Sequence, residues 1–110
     1  MKSIMHDKKA GTCYLCMMLN GDSTRRVNLE EHHAIFGTSG RHLAEKYGLK
    51  VYLCHEHHTG SSEAVHVNHK NARIIQRAAQ LAFETHYEDK SFLGVFGRNY
   101  LIEGDEEEND

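Results

Sequence analysis

Two short motifs hold most of the chemistry this chain has to offer. Cys13-x-x-Cys16 puts two thiols on one tight turn, and Cys54-x-x-His57 repeats that spacing after 37 intervening residues. Each pair is half of a tetrahedral zinc site, and together they make a Cys3His set of structural type. Taken alone, Cys13-x-x-Cys16 is equally the spacing of a redox pair or of two buried thiols. The interval between the halves is far longer than the roughly 12–15 residues of a simple finger. A zinc ion bound here would therefore staple a larger unit together.

Between the halves lies Glu30-Glu31-His32-His33. Four ionisable residues in a row make poor core material. On a strand, neighbours point to opposite faces, so His32 and His33 diverge unless the strand bends or ends there. One imidazole on an ion and the other facing a water beside it is the arrangement a metal ligand and a general base require. The plainer alternative is a pair of surface histidines in a loop.

The composition agrees with metal ligation. The chain has 110 residues, ten His, three Cys, and neither Pro nor Trp. An odd cysteine count fits poorly with a closed disulfide framework. A single domain of this length has a modest apolar core, which a metal would reinforce. No apolar run approaches the roughly 20 residues of a membrane span. The opening residues 1–9 lack the apolar stretch of a signal peptide, so the expected compartment is the cytoplasm. Net charge is −3, but six of the 16 acids fall in the last eight residues, leaving a body of +3. A mildly basic body is compatible with nucleic acid without requiring it.

The elements that must position these residues follow from periodicity and turn chemistry. Residues 1–12 are polar and read as a flexible N-terminus, 13–102 as one domain, and 103–110 as an acidic, disordered tail. Asn20-Gly-Asp-Ser-Thr24 is turn chemistry leaving the cysteine pair. A short strand is expected within Asn28–Phe36, ending at Gly37, and a second over Lys50–Leu53. Between them, Arg41–Tyr47 reads as a helix with Ser39 as N-cap and Gly48 as stop. The clearest helix spans about Asn71–Tyr87, with Ile74, Ile75, Ala78, Ala79, Leu81 and Ala82 on one stripe and Arg73, Arg77, Gln80 and Glu84 opposite. Leu81, Phe83 and Tyr87 serve as core or, alternatively, as a dimer patch. Phe92, Val95 and Phe96 suggest a last short helix stopped by Gly97. The expected class is α+β.

The order Cys-x2-Cys, His-His-x-Ile-Phe, Leu-Cys-x2-His-His resembles the HNH nuclease family, whose fold is the ββα-metal or His-Me finger. More closely, Glu31-His-His-Ala-Ile-Phe-Gly, Glu45-Lys-Tyr-Gly-Leu-Lys-Val-Tyr-Leu-Cys54 and Ala64-Val-His-Val-Asn68 look like small HNH-like proteins of phages and prophages. The resemblance covers about residues 13–100. It implies a small zinc-stapled ββα-metal domain with additional helices. It assigns Cys13, Cys16, Cys54 and His57 to a structural Zn2+, His32 and His58 to a catalytic metal, and His33 to the general base. Three positions depart from the family pattern. His57 stands where zinc-knuckle members usually carry Cys. No Asn lies near Gly48 or Leu49. The last metal histidine is best matched by His66, eight residues after His58, with His69 behind it.

The activity the resemblance implies is metal-dependent hydrolysis of DNA phosphodiester bonds. An imidazole-rich ligand set suits Mn2+, Ni2+, Co2+ or Zn2+ better than Mg2+. An unperturbed imidazole titrates near pH 6.5, so a neutral base is available near pH 7. Arg41, in the connection between the strands, is expected near the scissile phosphate, its alternative role being a salt bridge to Glu45. Arg25, Arg26, Arg73, Arg77 and Arg98 are the other candidates for phosphate contact, as against an ordinary solvated face. Contacts of that kind give salt-sensitive binding with little base readout. Recombination or packaging proteins of phage or host are possible partners. The competing expectation is a zinc-stabilised module of the same fold that binds DNA or a protein without cutting. A thiol-redox role for Cys13 and Cys16 leaves Cys54 and the histidines unexplained.

Overall fold

The computed structural model describes residues 1–102, so the acidic tail expected over 103–110 lies outside the described residues. The chain is mixed helix and sheet, built around one two-stranded antiparallel pair. Strand β1 (Glu30–His33) lies against β2 (Lys50–Leu53), with Glu30 opposite Leu53, His32 opposite Val51 and His33 opposite Lys50. The whole of β2 is buried, Lys50 included. The strand expected over 28–36 is shorter than its pattern suggested. Past His33 only Ala34 still bonds across, its N–H donating to Leu49 O at 2.9 Å.

Cys13 precedes a helix that spacing alone did not indicate. In α1 (Tyr14–Asn20), Cys13 is the N-cap and its sulfur accepts from the Cys16 N–H. The thiol pair is thus the first turn of a helix, and the Asn20-Gly21 turn is its end, with Gly21 at φ +63°. Helix α2 (Thr38–Tyr47) joins the strands. It starts three residues earlier than expected, with Gly37 rather than Ser39 at the cap. Arg41 is therefore the fourth residue of this helix rather than its first. Gly48 closes α2 at φ +75° and donates its N–H back to Ala44 O and Glu45 O. A Cβ there would lie 2.6 Å from Lys2 O, so only glycine fits the turn that returns the chain into β2.

The long helix α3 (His69–His86) is capped by the Asn68 side chain, which accepts from Asn71 N–H at 3.0 Å. Its buried stripe is Ala72, Ile75, Ala79 and Phe83, with Gln76 and Gln80 beside it. This stripe is rotated from the expected one: Leu81 is 55% exposed and Gln80 only 2%. Gln80 goes inside because its amide is satisfied there. Its Oε1 accepts from Tyr100 N–H at 2.7 Å and its Nε2 donates to Asn99 Oδ1 at 3.1 Å. Phe83, placed alternatively in a dimer patch, is fully buried. It meets Phe92 of α4 (Phe92–Phe96) edge-on at 5.6 Å.

Residues 1–12, expected to be loose, run along the outer edge of β2. Ile4 N–H donates to Gly48 O at 2.9 Å. His6 is buried, its Nδ1 accepting from Tyr52 N–H at 3.1 Å. Ser3 Oγ also donates to Lys50 O, and Ile4 and Met5 pack against the core, contacts with residues more than 40 positions away that local composition does not reveal. Among the described residues, no helix is long and apolar enough to cross a membrane.

Candidate metal centres

Cys13 and Cys16, at the start of α1, converge on Cys54 and His57, which follow β2. His57 Nδ1 lies 3.6, 3.5 and 3.5 Å from the sulfurs of Cys13, Cys16 and Cys54, and Cys16 Sγ is 3.9 Å from Cys54 Sγ. A tetrahedral zinc with Zn–S about 2.3 Å and Zn–N about 2.05 Å requires edges of about 3.8 Å between sulfurs and about 3.6 Å from sulfur to nitrogen. Four of the six edges of such a tetrahedron are therefore already in place, and all four donor atoms lie within 4.8 Å of one another. The three cysteines are free of disulfides.

Their proton chemistry points the same way. Burial, with Cys13 and Cys54 adding to it, pushes the Cys16 thiol up to about 12. Burial also raises Cys54. Cys13 resists its own burial and comes down to about 7 through polar contacts with the Cys54 and Cys16 backbone and with His57. Three thiols this close cannot all ionise unless a cation joins them, and a coordinating metal supplies that charge. Arg26 contributes a second cation: its Nη2 donates to Cys16 Sγ at 3.5 Å and to Asp22 Oδ2 at 3.1 Å. Glu63 Oε1 stands 3.5 Å from His57 Nε2, on the far side of the ring from the sulfurs.

A second group gathers His32 of β1, His58 of the π-helical turn Glu56–Gly60, and His66 of the following loop. Their ring centroids lie 5.3, 5.4 and 5.0 Å apart. Imidazoles bound through nitrogen at about 2.1 Å to one ion have centroids about 5 Å apart. Burial, then the nearby charges of His58, His66 and His33, hold His32 at about 3, and burial also lowers His66. His32 and His66 thus offer neutral lone pairs, the form that binds metal. His58 Nδ1 donates to Glu30 Oε1 at 2.7 Å, which turns its Nε2 away from the carboxylate. Spacing alone did not disclose Glu30, which reaches His58 across 28 residues of sequence.

These histidines line a cavity of about 610 Å³ together with His33, Phe36 and Arg41. Phe36 stacks on His66 at 5.6 Å. His33 Nε2 donates to Glu45 Oε1 at 2.8 Å. The amino-terminal ammonium, His33 and Lys50 hold the Glu45 carboxyl down at about 2. Glu31, His33 and Glu45 form a third convergent group. Lys50 Nζ already sits in it, 3.2 Å from Glu31 and 3.0 Å from Glu45, so an ammonium supplies the positive charge a metal would bring.

The arginines divide. Arg41 is exposed and lines the cavity, and Glu45 pairs with His33, Lys50 and the amino terminus rather than with Arg41. Arg25 donates to the carbonyls of Lys9 and Ala10 at 3.1 and 2.8 Å. Arg26 is engaged at the thiol cluster, as above. Arg77 Nε donates to Tyr100 O at 2.9 Å, and Arg73 lies over the Tyr100 ring at 5.5 Å. Arg73 and Arg98 line a neighbouring cavity of about 640 Å³ that shares Phe36 with the first. His69 borders that second cavity and is absent from the three-histidine group, where His66 stands. No family model, curated protein or solved structure matches the chain.

Proposed function

We propose that the chain is a zinc-stapled, metal-dependent endonuclease of the HNH type, hydrolysing phosphodiester bonds in DNA. The observation that carries this reading is the convergence of His32, His58 and His66 in one cavity with His33 and Arg41, His58 directly following His57 of the Cys3His cluster in the chain. Two antiparallel strands followed by a helical turn bearing His58 fit a ββα-metal arrangement. The donor set fits a divalent ion of the Mn2+, Ni2+, Co2+ or Zn2+ kind, with three imidazole nitrogens and room left in the cavity. Such an ion supplies Lewis-acid polarisation of a phosphate and stabilises the leaving oxygen.

The chain's own residues do the rest. His33 accepts a proton from the attacking water. Arg41, at the rim, places positive charge against the phosphate oxygens. Phe36 and Ile35 form an apolar wall of the same cavity. Arg98 and Arg73 in the adjoining cavity give the flanking phosphates a basic path, so binding weakens with salt.

The test is nicking of supercoiled plasmid by wild type and His33→Ala, each stripped of weakly held metal and resupplied with Mg2+, Mn2+, Ni2+ or Zn2+. Nicking that depends on metal and disappears in His33→Ala is expected. A folded, zinc-loaded wild type that never nicks would overturn the reading in favour of a binding module. His33→Ala nicking at the wild-type rate would remove His33 as the base.

A further inference from the structure

We propose that Glu45 is the positioning residue of His33: its carboxylate keeps the ring proton on Nε2 and leaves Nδ1 as the nitrogen that accepts a proton. The inference rests on the nuclease reading for its catalytic half and on geometry alone for its hydrogen-bond half.

The geometry begins with the backbone. His33 ends β1, and Lys50 opens β2 directly opposite it. Glu45 lies in the last turn of α2, and the Gly48 turn folds that helix end back onto the His33–Lys50 pair. The result is a chain of contacts with one order. His33 Nε2 lies 2.8 Å from Glu45 Oε1, against 3.9 Å for the Glu31 carboxylate. Lys50 Nζ, on a side chain only 8% exposed, holds Glu45 at 3.0 Å and 3.3 Å through its two oxygens. An ionised carboxylate only accepts hydrogen bonds. The His33 nitrogen facing it must therefore be the protonated one. In a neutral imidazole the other nitrogen then carries the lone pair. Among the described residues, nothing hydrogen-bonds to His33 Nδ1.

Lys50 explains why a carboxylate works here. It shares Oε1 of Glu45 with His33 and also reaches Oε2, which the amino-terminal ammonium holds at 2.7 Å, so the carboxylate is tied at both oxygens. It also offsets the acids around His33, Glu31 among them. The Glu45 carboxylate, though 43% exposed, thus fixes both the tautomer and the ring orientation, the role an acid plays toward a catalytic histidine elsewhere.

The experiment uses the zinc-loaded full chain and reads the ring before it reads activity. Long-range 15N–1H spectra of His33, assigned with His33→Ala, should show the Nε2–H tautomer in wild type. In Glu45→Ala the two ring nitrogens should move toward averaged shifts. An Nδ1–H tautomer in wild type, or an unchanged His33 signal in Glu45→Ala, overturns the proposal. For activity, Glu45→Gln keeps the shape and leaves the fold to be checked by zinc content. It should lower kcat about 10–100-fold with KM little changed. Wild-type kcat in Glu45→Gln overturns the positioning role. A wild type that never nicks overturns the nuclease reading and the catalytic half with it, while the ring spectrum still decides the hydrogen bond.

Discussion

Glu30 Oε1 accepts a hydrogen bond from His58 Nδ1 at 2.7 Å, and its other oxygen lies 3.1 Å from His55 Nδ1. One carboxylate at the start of β1 thereby orients the turn that follows β2. Carboxylates in this position fix ring orientation and raise the basicity of the metal-facing nitrogen. His58 and His55 also hold the Glu30 carboxyl below its usual range. Replacing Glu30 by Gln should weaken Mn2+ or Ni2+ binding at the three-histidine site about 10–100-fold. Titration calorimetry with the zinc-loaded protein checks this, and an unchanged affinity would show that His58 needs no such support.

The thiol cluster should hold about one zinc per chain through dialysis. Strong chelation should then collapse the fold, because sites of this kind supply an apparent ~10–16 kcal/mol. Cys54→Ser should behave like the chelated protein by circular dichroism. His66→Ala should keep its zinc and its helices, since His66 belongs to the other group. Metal-free protein that stayed fully folded would disprove the structural role.

Acid should destabilise the protein through His32. Unfolded, this ring titrates near 6.5; folded, burial and its histidine neighbours hold it at about 3. The unfolded chain binds a proton that the folded chain refuses. Stability is therefore full above about pH 6.5 and declines as pH falls toward 3, at no more than about 1.4 kcal/mol per pH unit for this one group. Thermal melts at pH 7.5 and 5 should show a larger drop for wild type than for His32→Asn. Equal drops would mean that other groups carry the acid sensitivity.

Two glycines offer a controlled comparison of backbone strain. Gly21 and Gly48 both sit at positive φ, +63° and +75°. A Cβ meets nothing within 4 Å at Gly21 but lies 2.6 Å from Lys2 O at Gly48. Gly21→Ala should cost roughly 1–2 kcal/mol from the left-handed backbone alone. Gly48→Ala should cost more, and each kcal/mol lowers Tm by about 4–8 °C in a chain of this size. If the two variants melted together, the Lys2 contact would carry no weight.

Much of this was legible in residue order. The repeated x-x spacing of Cys13–Cys16 and Cys54–His57 indicated a shared ion because ligand chemistry demands a few residue types at short local distances. Strand β2, the end of α2 at Gly48 and the helix Phe92–Phe96 were legible for the same reason: local propensity and turn chemistry act over a few residues. Helix α1 was not, because its start depends on a sulfur acting as cap, and thiols are not read as capping residues. The burial of Gln80 was not, because the groups that satisfy its amide, Tyr100 and Asn99, lie about 20 residues on in the chain.

What only the tertiary structure decided is which charged residue meets which. Glu45 lies four residues from Arg41 and twelve from His33, and helical spacing favours the arginine. The fold chose His33 and Lys50, because the Gly48 turn lays the end of α2 across the strand pair. Arg26, legible only as a basic residue, became a partner of Cys16 by the same kind of long-range closure. Residue type and spacing determine what chemistry is available. Which groups come within 3 Å of one another is set by chain reversals and strand register, and these join positions that no local pattern connects.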